Sequence, residues 1–269
     1  MIDTEDFTVK AGGKFDLADI DPKYTGAYKA AEDVQREMES NVEKIGDLQE
    51  KLYAESRRAL LLILQGMDTS GKDAITRAVM DSVDPQGCVV TAFKRPSAND
   101  LAHDYLWRVH KEVPPRGMIG IFNRSHYEDV FIVRVHDLVP EKVWRTRYRQ
   151  INAFERHLVE NDVTVLKFLL HISADEQKRR LQSRLDDKKK HWKFNPDDLK
   201  ERALWKDYMK AYEVALTECN TEWAPWYVIP SDKKWFRNFV AASIVRETLE
   251  EMDPEFPKVT WDPRTIRIE

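Results

Sequence analysis

The sequence predicts an α/β fold in which a parallel sheet lies between layers of helices, and three observations carry that prediction. Apolar runs of strand length recur at 59–64, 88–93, 117–122, 163–172 and 226–229. Helix-length segments at 72–83, 98–112, 140–160, 174–185 with 196–216, and 233–252 alternate with them, as parallel strands joined by helical crossovers require. The first run, ALLLIL, shows no polar alternation, so both its faces are buried, as in the interior of a parallel sheet.

Taken in order, the chain opens with an arm over 1–57. Within it Val34, Met38, Val42, Ile45, Leu48 and Leu52 recur at steps of three and four and predict an amphipathic helix over 28–56. The five strand and helix units follow. The longest connection between strands holds a helical insertion over 174–217, and residues 253–269, with three prolines, read as an extended tail. The 269 residues are read as one domain.

Charge is uneven. The formal net charge is −4, yet 177–206 holds eleven Lys/Arg against five Asp/Glu. An acidic protein with one basic strip is a poor general nucleic-acid binder, because that affinity comes from neutralising many phosphates. It suits a confined polyanion. No apolar run is long enough to span a bilayer, and the N-terminus lacks a secretory pattern, so a cytoplasmic location without membrane contact is expected. Cys88 and Cys219 are widely separated and predict neither a disulfide framework nor a zinc site.

Residues 66-GMDTSGK-72 fit G-x-x-x-x-G-K between a predicted strand and a predicted helix, the context that makes this pattern a phosphate-binding P-loop. Gly66 and Gly71 let the backbone bend so that successive N–H groups point at phosphate oxygens, and a helix N-terminus adds partial positive charge. Lys72 adds a full charge on a flexible stem. The candidate phosphate contacts are Gly66, Thr69, Ser70, Gly71, Lys72 and Asp73. Asp73 stands where a magnesium-holding Ser or Thr is usual, so another carboxylate is expected to help hold the metal. Asp68 is the first candidate, because a carboxylate among phosphate-binding amides is repelled unless it serves a cation or takes a proton; as a turn residue alone it would make an Asx turn.

A second polar cluster, 123-NRSHYEDV-130, follows the third strand, at the end where α/β sheets place their sites. Arg124 suits phosphate or a carboxylate. Glu128 and Asp129 could both approach one metal from a loop, whereas in a strand they would face opposite ways. His126 and Tyr127 are read as packing groups.

GMDTSGKD, FKRPS at 93–97, FNRSHYEDV at 122–130 and HWKF at 191–194 together resemble the polyphosphate kinase 2 family, from about residue 20 to the end of the chain. The resemblance implies a thymidylate-kinase-like P-loop fold with a five-stranded parallel sheet and a helical lid. It also implies magnesium, with manganese as a substitute, and reversible phosphoryl exchange between inorganic polyphosphate and adenine or guanine nucleotides. The pattern is more similar to the class III branch, which phosphorylates nucleoside monophosphates as well as diphosphates. Asn123 and Glu128 depart from the Asp and Asn of many members. The likeness implies Asp68 and Lys72 as catalytic loop groups, Arg124 as a catalytic phosphate contact and Arg184 as a catalytic lid arginine. Because Asn123 departs from the family pattern, Glu128 is read as the carboxylate that completes the metal site, with Asp129 in reserve. It further suggests a homo-oligomer, dimer or tetramer.

Arg180 and Arg184 share one face of a predicted helix, with Lys188 to Lys190 just beyond, so this segment is expected to close over phosphates as a lid. Arg180, Lys188 and Lys189 are its expected phosphate contacts. Trp192, Phe194, Trp205 and Tyr208 could stack on a base or anchor the lid. Lys94, Arg95, Asn123, Arg124 and Glu128 are the expected nucleotide contacts. Two rival readings share these features: an ATP-dependent nucleoside monophosphate kinase, and a non-enzymatic nucleotide-sensing or polyanion-binding regulator.

Overall fold

The computed structural model describes residues 2–10 and 12–268; Met1 and Ala11 of the expected arm and Glu269 of the expected tail lie outside the described residues. Five strands, β1 (Ala59–Gln65), β2 (Cys88–Ala92), β3 (Ile119–Asn123), β4 (Val163–His171) and β5 (Trp226–Pro230), form one parallel sheet in the order β2-β3-β1-β4-β5. β1 is buried along its whole length at the centre, as its unbroken apolar run predicts.

Ten α-helices accompany these strands among the described residues. In chain order they are α1 (Gln35–Glu55), α2 (Lys72–Val79), α3 (Ala98–Leu101), α4 (Trp107–His110), α5 (Glu128–Val135), α6 (Glu141–Val159), α7 (Ala174–Asp186), α8 (Asp197–Ala203), α9 (Trp205–Glu218) and α10 (Lys234–Met252). Alternation along β1 divides the core into two layers. Leu60, Leu62 and Leu64 pack with Ile45, Ile75 and Val240 from α1, α2 and α10, whereas Leu61 and Ile63 pack with Phe131, Ile151 and Tyr212 from α5, α6 and α9.

Several boundaries differ from the expectation. The helix expected over 98–112 is two short ones: Ser97 and Asp100 close a capping box around α3, and the Asp104 carboxylate takes the Leu106 N–H (3.0 Å), offering the backbone an alternative to helix. The helix expected over 196–216 is interrupted at Leu204, and α2 ends at Val79 rather than at residue 83. The arm is not purely helical. Thr8 bridges Tyr227 antiparallel and the Val9 N–H donates to Trp226 O (2.8 Å), which covers the β5 edge. Among the described residues no helix is long and apolar enough to cross a membrane.

The chain leaves β1 toward β2 and leaves β3 toward β4, on opposite sides, so a crevice opens beyond the carboxyl ends of β1 and β3. Both polar clusters of the sequence lie there.

Candidate active site

The loop after β1 is shaped by its glycines. Gly66 has φ 140° and Gly71 φ 114°; a Cβ would stand 2.7 Å from Leu170 O at the first and 1.8 Å from Arg237 Nη1 at the second. Lys72 opens α2, and its Nζ donates to Gly66 O (2.7 Å) and Met67 O (3.3 Å). Burial pushes its ammonium below the usual lysine value and Arg124 adds to that, against the pull of Asp68, Glu128 and Asp73. The hydroxyls of Thr69 and Ser70 are buried without a partner among the described residues. Buried polar groups are rarely left unpaired, so the Thr69 oxygen, whose residue lines the adjoining cavity, points to a ligand.

From the next strand, Arg124 turns back at φ 64° and its N–H donates to Leu64 O (3.0 Å). Its guanidinium lies between two carboxylates, 2.8 Å from Asp68 Oδ1 and 3.7 Å from Glu128 Oε2. These two carboxylates hold it above the usual arginine value although burial alone would lower it. Burial in turn pushes the Glu128 carboxyl up against the pull of Arg124 and Lys72. Oriented so that both its ends are satisfied, the Gln65 amide donates to Glu128 Oε1 (2.9 Å) and accepts from Ser125. Asn123 donates to Asp73 Oδ1. Beneath them His126, Tyr127 and Lys167 converge on Glu155; Lys167 Nζ lies 2.6 Å from Glu155 Oε2, and all four are fully buried, which makes His126 and Tyr127 packing groups as expected.

A cavity of about 630 Å³ opens beside these parts, and the expected contacts Gly66, Ser70 and Glu128 do not line it. Asp68, Thr69, Gly71, Lys72 and Asp73 line it, with Lys94, Asn123 and Arg124 from the ends of β2 and β3 and Arg184 from α7. Arg184 donates to Lys193 O (2.8 Å) and stands 3.4 Å from Asp198 of α8.

Other expected contacts fall elsewhere. Asp129 is not brought to Asp68: residues 128–135 are helical rather than a loop, which turns neighbours about 100° apart, and Asp129 pairs with Arg147 (3.0 Å). Arg180 also lines the cavity, but its guanidinium is spent on protein oxygens of Thr69, Ser70, Ser231 and Asp232 and on the Glu176 carboxylate, so it braces the loop instead of lying open to phosphate. Lys188 and Lys189 do not line the cavity. The segment Lys188–Lys193 is a 3-10 helix with three residues per turn, which puts Lys190 and Lys193 on its inner face instead. Arg95 is exposed outside the cavity, and none of Trp192, Phe194, Trp205 and Tyr208 lines it; Tyr208 is buried in the core. Sequence reasoning missed Arg77, Arg179, Lys234 and Arg237, which line it too. For Arg237 the available signal was a cation inside an apolar helix.

Among the described residues no three carboxylate, imidazole or thiolate groups converge as a ready metal cage. Asp68 and Glu128, gathered by one guanidinium beside a phosphate loop, fit the other way of holding magnesium, by one or two carboxylates shared with phosphate oxygens.

The sequence model of polyphosphate kinase 2 matches residues 28–257. The chain belongs to the polyphosphate kinase 2 family. Among its relatives is an AMP/ADP-polyphosphate phosphotransferase of Meiothermus ruber, 47% identical across 98% of this chain and 99% of its own. An ADP-polyphosphate phosphotransferase of Rhodopseudomonas palustris is 43% identical across 96% of this chain and 94% of its own. The crystal structure of polyphosphate kinase 2 from Arthrobacter aurescens superposes with a TM-score of 0.91 at 43% identity, covering 96% of this chain and 95% of that one. The five-stranded parallel sheet and the loop after β1 are thus those of a P-loop kinase-like member of the polyphosphate kinase 2 family.

Proposed function

We propose that the protein transfers phosphoryl groups between inorganic polyphosphate and adenine nucleotides, raising AMP to ADP and ADP to ATP in a reversible, magnesium-dependent reaction. One observation carries this reading: a protein of net charge −4 gathers Lys and Arg side chains from α2, the segments just after β2 and β3, α7, the Lys188–Lys193 turn and α10 around one cavity. Such a surface matches a polyanion rather than a donor with a base to recognise. Among the described lining residues Phe93 is the one aromatic, and its ring already packs edge-on against Phe122.

Phosphoryl transfer asks little covalent chemistry of a protein and much positioning and charge stabilisation. Lys72 and Arg124 spread charge over the transferred group, and the α2 N-terminus adds its unpaired N–H groups. Arg184 contributes from the lid segment, and Lys94 and Asn123 face the acceptor. Asp68 and Glu128 are the residues that would hold magnesium, which when bound neutralises charge between donor and acceptor oxygens. The AMP/ADP wording of the Meiothermus ruber relative supports both acceptors.

The test is incubation of the protein with AMP, polyphosphate and magnesium, without ATP. ADP should accumulate first and ATP after it. No product under these conditions, with product when ATP replaces polyphosphate, would favour an ATP-dependent monophosphate kinase instead.

A further inference from the structure

We propose that Arg237 and Arg180 are positioning residues whose guanidiniums clasp the Ser70 carbonyl and thereby aim the Gly71 N–H at substrate oxygens. The inference rests on the reading of 66–72 as the phosphate site. Arg237 Nη1 donates to Ser70 O at 2.9 Å, and Arg180 Nη1 donates to the same oxygen at 3.2 Å and to Thr69 O at 2.8 Å. A trans peptide is planar, with carbonyl and N–H on opposite sides, so fixing Ser70 O fixes the direction of the Gly71 N–H. Among the described residues that N–H has no acceptor. It is available to a ligand.

The chemistry around Arg237 argues for a role beyond packing. The side chain is 1% exposed on α10, and its remaining donors, Nε and Nη2, go to Asn238 Oδ1 (3.1 and 2.7 Å), with no carboxylate paired to it among the described residues. Burial and the neighbouring Arg180 push its guanidinium down to about 10. A buried cation that meets only neutral oxygens is costly, and a hydrophobic side chain would suit the helix better. What the guanidinium supplies there is the hold on Ser70. Gly71 leaves the space for it, since a Cβ at that position would collide with Nη1.

The clasp also reaches the base of the lid segment. Arg180 Nη2 donates to Ser231 O (2.6 Å) and Asp232 O (3.0 Å), and the Asp232 carboxylate takes the N–H and the hydroxyl of Ser173 at the start of α7 (2.8 and 2.7 Å). The P-loop, the β5–α10 turn and the foot of α7 are therefore one hydrogen-bonded unit, through which a shift of α7 reaches the Gly71 amide.

The experiment compares the full chain with Arg237→Met and Arg237→Lys, measuring kcat and KM for polyphosphate with AMP as acceptor. A residue that orders the loop for the transition state lowers kcat, so Arg237→Met should lose about 30-fold in kcat with polyphosphate KM changed less than about threefold. Arg237→Lys, still able to donate to a carbonyl, should return to within about fivefold of wild type. In amide NMR, tripolyphosphate should shift the Gly71 resonance in the wild type and the Lys variant but not in the Met variant. A raised polyphosphate KM at unchanged kcat would mean direct anion contact and overturn the clasp, as would wild-type kinetics in the Met variant. Should Arg237→Met not fold, Arg237→Lys and its Gly71 titration decide: kcat within about fivefold of wild type at unchanged KM, with the Gly71 shift retained, supports the clasp, and a raised KM, or a lost Gly71 shift at wild-type kcat, overturns it. A wild type that does not turn over AMP with polyphosphate refutes the proposed reaction, while the Gly71 titration still decides the clasp.

Discussion

Lys72 carries its charge in a fold that resists it. Burial and Arg124 both act against the ammonium, and its hydrogen bonds go to the loop carbonyls of Gly66 and Met67. A cation whose folded value is depressed costs stability wherever it is charged, so Lys72→Met should melt no lower than wild type near neutral pH. Turnover should fall at least about a hundredfold, because the transferred charge loses its mobile partner. A variant that unfolds, or one that keeps activity within tenfold, would contradict this. Asp198 offers a titration with the opposite chemistry and the same sign. Burial and Asp68 push its carboxyl up to about 6, against the pull of Arg184. The folded state then binds more protons than the unfolded one between about 4 and 6, and stability falls as pH rises through that window. Asp198→Asn should erase this, so its melting temperature relative to wild type should increase from pH 4 to pH 7; a constant offset would exclude the effect. The P-loop residues were readable because their spacing is dictated by backbone geometry around phosphate. Arg237 and Arg180 were not readable as a clasp, because which oxygen a long side chain meets is set by elements that lie 167 and 110 residues from Ser70.

Elements decide which of the charged residues share a space. α7 begins at Ser173, whose hydroxyl accepts the Glu176 N–H (3.1 Å) and donates to Asp232, so one side chain both caps the helix and ties it to the β5–α10 turn. Ser173→Ala should cost about 1 kcal/mol for the cap, and the loss should appear in thermal melts of the free protein. Since the same hydroxyl helps seat α7, kcat should fall as well; an unchanged kcat would mean that the seat of α7 does not reach the transfer step. The strands and the long helices were legible from periodicity, because a buried central strand and an amphipathic helix each leave a continuous pattern. The short elements were not. Whether Glu128 and Asp129 act together depended on a helix of eight residues, too brief for its pattern to outweigh the polar run before it, and that helix sends the two carboxylates to Arg124 and Arg147. Lys190 and Lys193 were hidden for a similar reason, since only the threefold winding of their turn separates them from Lys188 and Lys189.

At the scale of the molecule, attraction for polyphosphate is confined to one place. Many exposed charges cancel locally, as in the pairs Arg145–Glu141, Arg156–Glu160 and Lys200–Asp197. The acids that line the cavity, Asp68 and Asp73, are already engaged by Arg124 and Asn123, so the field inside is positive while the chain as a whole carries a net charge of −4. Salt screens such fields over about 10 Å at 0.1 M. KM for polyphosphate should therefore rise with ionic strength, and more steeply for chains of intermediate length than for tripolyphosphate, because more of their phosphates enter the basic cavity. The slope should then stop growing, because the chain outside the cavity carries an excess of acids and, on average, offers the remaining phosphates no further attraction to lose. Plots of log KM against log salt for short, intermediate and long polyphosphates test this at fixed magnesium. A slope that keeps increasing with chain length would mean that the polyanion follows a basic track outside the cavity, and the confinement argued from the charge distribution would be wrong.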